Sequence, residues 1–126
     1  MRRLAVLLAL VVTAACSNGP LQLANIQVGR SLNPDRSIAS ITTQFKPSET
    51  IFVSVQTSAG KGSIGVKWMY QGRVVAEPVK QVDYNGPAST EFQMQGSGGF
   101  PQGEYSVEIL IDGVSVGTRN FRVLAP

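Results

Sequence analysis

Apolar residues recur at every second position along most of this chain, in short runs broken by glycine, proline and asparagine. Such a period places alternate side chains on opposite faces of a strand, so the pattern dictates sheet rather than helix. Ile64, Val66, Trp68 and Tyr70 share one face of a run whose other face carries Lys67. Tyr105, Val107, Ile109 and Ile111 oppose Glu104, Ser106 and Glu108, while Ile51, Val53 and Val55 oppose Ser54 and Gln56. These three sets form the expected core. The alternation predicts strands over Leu23–Gly29, Ser37–Gln44, Ile51–Thr57, Ser63–Gln71, Val74–Asp83, Ser89–Gln95, Glu104–Ile111 and Val114–Leu124.

Turn residues separate these runs, as at Asn33-Pro34-Asp35, Lys46-Pro47-Ser48, Asn85-Gly86-Pro87 and Gly96-Ser97-Gly98-Gly99. Asp112-Gly113 supplies the positive φ angles of a two-residue hairpin. Beyond it the phase shifts from Val114 and Val116 to Phe121 and Val123, which predicts a bulge around Gly117–Asn120. With 126 residues the chain holds one domain. The expected fold is all-β, a single antiparallel β-sandwich over residues 23–126.

The first residues read as an address. Met1-Arg2-Arg3 is a short basic start, Leu4 to Val12 is apolar, and Thr13-Ala14-Ala15 puts small residues before Cys16. That is the layout of a secretory signal peptide over residues 1–15, with cleavage between Ala15 and Cys16. As a helix, Leu4 to Ala15 would extend about 18 Å, too short for a hydrocarbon core of about 30 Å. Residues 16–22, including Ser17-Asn18-Gly19-Pro20, read as a tether.

Val12-Thr13-Ala14-Ala15-Cys16 resembles the lipobox of bacterial lipoproteins, with Thr13 where that family usually has leucine. The resemblance implies that Cys16 is the lipid anchor, carrying diacylglycerol on its thiol and, in many bacteria, a further acyl chain on its amine. More than one chain is what makes such anchoring firm. Ser17 in place of aspartate implies the outer membrane of a Gram-negative envelope, facing the periplasm or the cell surface.

Further on, Val66-Lys67-Trp68 resembles strand C of immunoglobulin-like and fibronectin type III-like domains, with its buried tryptophan. Phe100-Pro101-Gln102-Gly103-Glu104-Tyr105-Ser106-Val107 is similar to the approach to strand F, where a tyrosine corner forms. On that resemblance Val107, with Val53 or Val55, stands in the places of the immunoglobulin cysteines, and the sandwich is immunoglobulin-like without its disulfide. Phe45–Ser48, Trp68–Tyr70 and Gly103–Val107 are also similar to elements of small bacterial lipoproteins of unknown role.

Little in the residues suggests chemistry. The chain has no histidine, and its single cysteine belongs to the anchor, so a nucleophile–histidine pair is excluded. Glu104 and Glu108 share a strand face but lie about 13 Å apart at strand rise, beyond the separation of glycosidase carboxylates. Asp83-Tyr84-Asn85-Gly86 lacks the ligand spacing of a calcium loop and reads as a turn. In Ala59-Gly60-Lys61-Gly62-Ser63 the phosphate-loop order is broken by Gly62, and a strand follows where a helix is required. Trp68, Tyr70 and Tyr105 share the phase of the core, which leaves Phe52 and Met69 as the expected exposed apolar contacts. Removing residues 1–15 takes away Arg2 and Arg3 and leaves nine basic against eight acidic side chains, no footprint for nucleic acid.

The expectation is therefore a non-enzymatic protein-interaction or structural module, without cofactor or metal, attached to the membrane through lipidated Cys16 and meeting an envelope protein partner. The alternative is a domain that binds carbohydrate, a peptidoglycan fragment or a small ligand through loops at Gly60–Ser63 or Asn85–Ala88.

Overall fold

A computed structural model describes residues 19–126. The signal segment, the cleavage site at Ala15 and Cys16, and Cys16 as anchor lie outside the described residues. Nine strands form, with no helix among the described residues: β1 Leu23–Gly29, β2 Gln44–Phe45, β3 Ile51–Thr57, β4 Gly60–Tyr70, β5 Arg73–Ala76, β6 Val79–Tyr84, β7 Ala88–Met94, β8 Gly103–Ile111 and β9 Val114–Val123. They build two packed sheets, one ordered β1-β3-β7 and the other β2-β9-β8-β4-β5, with β6 also paired to β4. All pairings are antiparallel except the two-residue match of β2 to β9. The fold is the expected all-β sandwich.

The core is where the alternation placed it. Ile51, Val53 and Val55 face Ile64, Val66, Trp68, Val107 and Ile109 across the interior, all of them buried. Trp68 is 1% exposed and meets Phe121 edge-on at 6.3 Å, while Tyr105 stacks on the same phenylalanine at 5.4 Å. Burying an aromatic ring in this way contributes on the order of 2–3 kcal/mol by area. Leu21, ahead of β1, is also in this core, so the packed region starts within the segment read as tether.

Four expectations need correction. Ser37–Gln44 is no regular strand. It makes only isolated bridges, Leu32 to Ile38 and Gly29 to Ile41, before the short β2. The physical reason is local competition: the Asp35 carboxylate accepts from Ser37 N and Oγ, and Thr42 Oγ1 bonds the main chain of Gln44. The segment instead lies over the outer face of the three-stranded sheet, where Ser54 is fully buried and donates to Arg36 O at 2.8 Å. Gly29 permits the approach, since a Cβ there would stand 2.2 Å from Ser40 O.

Val74–Asp83 is two strands rather than one, interrupted at Glu77-Pro78, because Pro78 has no N–H to give the ladder although its carbonyl accepts from Val66 N at 3.0 Å. Gln71 belongs to a turn and not to its strand. With φ of 50° and 79°, Gln71 and Gly72 close a second two-residue hairpin between Tyr70 and Arg73. Finally, the β9 register slips between Ser115 and Gly117, opposite Leu110 and Ile109, so Val116 is the bulged residue, just ahead of the expected stretch. Asp112 and Gly113 do take positive φ, 51° and 83°, as a hairpin of this length requires.

Candidate functional site

Each residue set with chemical potential can now be placed. Glu104 and Glu108 point from the outer face of β8 toward different cations: Arg122 Nε donates to Glu104 Oε2 at 2.7 Å, and Lys67 Nζ lies 3.9 Å from Glu108 Oε1. Neither carboxylate faces a concave site with the other. Among the described residues no group of three or more histidine, cysteine, aspartate or glutamate side chains is placed to hold a metal ion.

Gly60–Ser63 is not a free loop. These residues open β4 and pair in register with Gln81–Tyr84 of β6, and Ser63 N donates to Asp112 Oδ1 at 2.9 Å. The backbone of Gly19 and Leu21 lies against Gly60, where a Cβ would come within 2.8 Å of Gly19 O. That contact accounts for the glycine, and the segment expected as a loop is strand. Asn85–Pro87 does form the connection between β6 and β7, Ala88 being the first residue of β7, with Tyr84 OH and Thr90 Oγ1 2.6 Å apart beneath it.

Trp68 and Tyr105 are core residues, and Tyr70 is half-buried beside Tyr105, with ring centroids 4.6 Å apart. Tyr105 OH donates to Pro101 O at 2.7 Å, and Tyr70 OH donates to Gln102 O at 3.0 Å. Both hydroxyls are thus spent holding the 100–103 turn against the sandwich end. Burial, with Tyr70 alongside, pushes the Tyr105 phenol up to about 12. An apolar hollow of about 200 Å³ remains beside these rings, with Val75, Met94 and Phe100 on its walls.

The exposed apolar residues are not the expected ones. Phe52 and Met69 are both half-buried. Besides Ile41 and Val114, each 64% exposed, three valines stand out on β5 and β6: Val74, Val75 and Val79, exposed by 48%, 52% and 61%. The reason is position in the sheet. β5 and β6 each have β4 on one side and no strand on the other, so their side chains gain cover from one neighbour only. Alternation distinguishes the faces of a strand but not an edge from a centre. The Pro78 break was the one sequence signal that could have marked this edge.

Between β6 and β7, which belong to different sheets, runs a cleft of about 530 Å³. Arg36, Lys80, Asp83, Tyr84 and Glu91 are among its walls. Lys80 Nζ spans it, donating to Glu91 O at 2.5 Å, lying 3.7 Å from Glu91 Oε1 and standing 4.9 Å from the centre of the Phe92 ring. No family model matches this chain, and no curated protein matches it in sequence.

Proposed function

We propose that this chain is a lipoprotein of the bacterial envelope whose β-sandwich, held near the membrane by lipidated Cys16, acts as a non-enzymatic protein-interaction or structural module. The observation that carries the reading is the β5–β6 edge, which has a free main-chain side and three exposed valines, Val74, Val75 and Val79. Edges of this kind accept a partner by strand addition or apolar contact. The signal-like N-terminus and its lipobox-like junction support the anchor. Core packing starts at Leu21, and the five residue steps from Cys16 to Leu21 span at most about 18 Å. An anchored domain therefore works close to the bilayer surface.

We further read the sandwich as immunoglobulin-like. Supporting this are the bond from Tyr105 OH to the main chain four residues upstream, the tryptophan buried on β4, and the crossing of β2 to run parallel with β9. The test of function is photo-crosslinking in living cells from a probe at Val79, with a second probe at Thr118 as control. A specific adduct from Val79 alone is expected, and equal or absent capture at both sites overturns the partner reading. Cys16→Ala is expected to abolish incorporation of labelled palmitate, and unchanged labelling removes the anchor.

A further inference from the structure

We propose that Asn85-Gly86, in the connection between β6 and β7, is a site of spontaneous covalent modification: the Asn85 amide cyclises onto the main chain, releases ammonia and reopens as aspartate or isoaspartate. The proposal goes beyond the interaction-module reading and does not depend on it.

The step is an intramolecular substitution. Gly86 N attacks Asn85 Cγ, a C–N bond forms and the Cγ–Nδ2 bond breaks. Nδ2 departs as ammonia, taking up the Gly86 N–H proton, and a five-membered imide remains. Water, the only co-reactant, then adds to one of the two imide carbonyl carbons. Addition at Cγ gives aspartate with the ordinary main chain. Addition at the Asn85 carbonyl carbon gives isoaspartate, in which the chain runs through the side chain. The reaction therefore requires an unbonded asparagine amide, an unbonded and uncrowded N–H after it, and a backbone able to bring the two together. Glycine in the second position meets the last need best, because it has no Cβ and the widest choice of backbone angles.

The fold closes this route at the other described candidates. At Asp112-Gly113 the side chain is held, since Asp112 Oδ1 accepts from Ser63 N at 2.9 Å while Asp112 N donates to Ser63 O at 3.0 Å. Asn25 and Asn120 lie within β1 and β9, opposite Gln56 and Ser106, and isoleucine and phenylalanine follow them. Asn33 precedes Pro34, which has no N–H, and its Nδ2 donates to Ser37 Oγ at 3.0 Å.

Asn85 differs on every count. It is exposed, in a bend outside any strand. Among the described residues neither its side chain nor Gly86 N makes a hydrogen bond. A Cβ placed on Gly86 would meet nothing within 4 Å, so the approach to its nitrogen is open. The product would stand where it alters the molecule. Either form adds a carboxylate two residues from Asp83, on the wall of the cleft. Isoaspartate also adds one carbon to the main chain of the short link between the two sheets, above the Tyr84–Thr90 hydroxyl pair.

The experiment ages the full chain, purified in detergent, at mildly alkaline pH with and without urea, and maps its peptides by mass spectrometry. In the folded protein the peptide holding Asn85 should gain one mass unit with time. An isoaspartyl methyltransferase with labelled S-adenosylmethionine should mark the same peptide. Gly86→Ala, tolerated because the space around it is open, should slow the change by about tenfold, and Asn85→Gln should abolish it. Isoaspartate at Asp112 should appear only in urea, where its bond to Ser63 is lost. Asn85 unchanged in the folded protein overturns the proposal, whether or not it reacts in urea. So does change confined to Asn18, which lies outside the described residues, or an undiminished rate in Gly86→Ala, which would mean direct hydrolysis without the ring. Asp112 reacting as fast as Asn85 in the folded protein would overturn the claim that the fold selects this turn.

Discussion

The two flanks of the sandwich are closed by different means. On one, β1 lies over β9, and Gly117 lets the sheets approach so far that a Cβ there would stand 2.8 Å from Ile26 Cδ1 and 3.3 Å from Leu23 Cδ2. The chain itself then crosses this flank, from β1 through residues 30–43 to β2, where Arg122 N and Leu124 N bond Thr43 O and Phe45 O. On the other flank β6 and β7 leave a cleft, spanned by the Lys80 amine and the Tyr84–Thr90 hydroxyl pair. The first flank is sealed by removing side-chain volume, and the second is propped open by polar side chains. Packed apolar contact is worth far more than a partly exposed polar strut. Stability should therefore be concentrated on the sealed flank, which leaves the propped one available for partners.

The largest effect is expected on the sealed side. Phe121 contacts Phe45 at 5.6 Å, Trp68 and Tyr105, so Phe121→Ala should cost about 3–5 kcal/mol in urea unfolding. Next comes Gly117→Ala, which overpacks the closest approach of the sheets and should cost about 1–3 kcal/mol. Its cause can be isolated, because Ile26→Val deletes the very Cδ1 atom in conflict. The double variant should recover much of the loss, a coupling that independent sites do not show. Simple additivity of the two changes would mean that the approach of β1 to β9 is not what Gly117 provides.

How much of this contrast could be read from residues alone depends on which property decided it. β1 and β3 occupy the ranges that alternation assigned, and Ile64, Val66 and Trp68 are buried as their phase required. Period-two patterning records burial on one face, so a strand in the middle of a sheet is legible. Ser54 shows the limit. Its position on the face opposite Val53 and Val55 implied exposure, yet residues 30–43 cover that face and bury it completely. Nothing in the local pattern announces a cover that arrives from elsewhere in the chain. The candidate site was less legible still. Val79 looks like any other strand residue until the sheet order shows β6 to be an edge.

A smaller effect belongs to the end of the sandwich, common to both flanks. Tyr105→Phe removes the bond to Pro101 O and should cost about 1 kcal/mol. The phenol is pushed up to about 12 in the folded protein, above its ordinary value of about 10. The folded state therefore holds this proton where the unfolded chain has begun to lose it. Stability from this group is complete below pH of about 10 and declines as pH rises toward 12. Tyr105→Phe should flatten that alkaline decline in denaturation curves. An equally steep decline would assign it to other groups.

Lys80→Met gives the smallest change in stability and the sharpest test of the contrast. The substitution keeps an apolar stem over Phe92 but removes the amine that occupies Glu91 O. If the lysine is a strut at the mouth of the cleft, unfolding in urea should shift by no more than about 1 kcal/mol, because partly exposed charged contacts contribute little. What should change is association. An inward-pointing lysine is one of the devices by which edge strands avoid pairing with other chains, and its loss uncovers an acceptor at the centre of β7. Sedimentation velocity should then show dimers growing with concentration in Lys80→Met and not in the parent chain. A destabilisation as large as that of Phe121→Ala would break the comparison, because it would mean that the β6–β7 flank is as firmly closed as the other and that its cleft is structural.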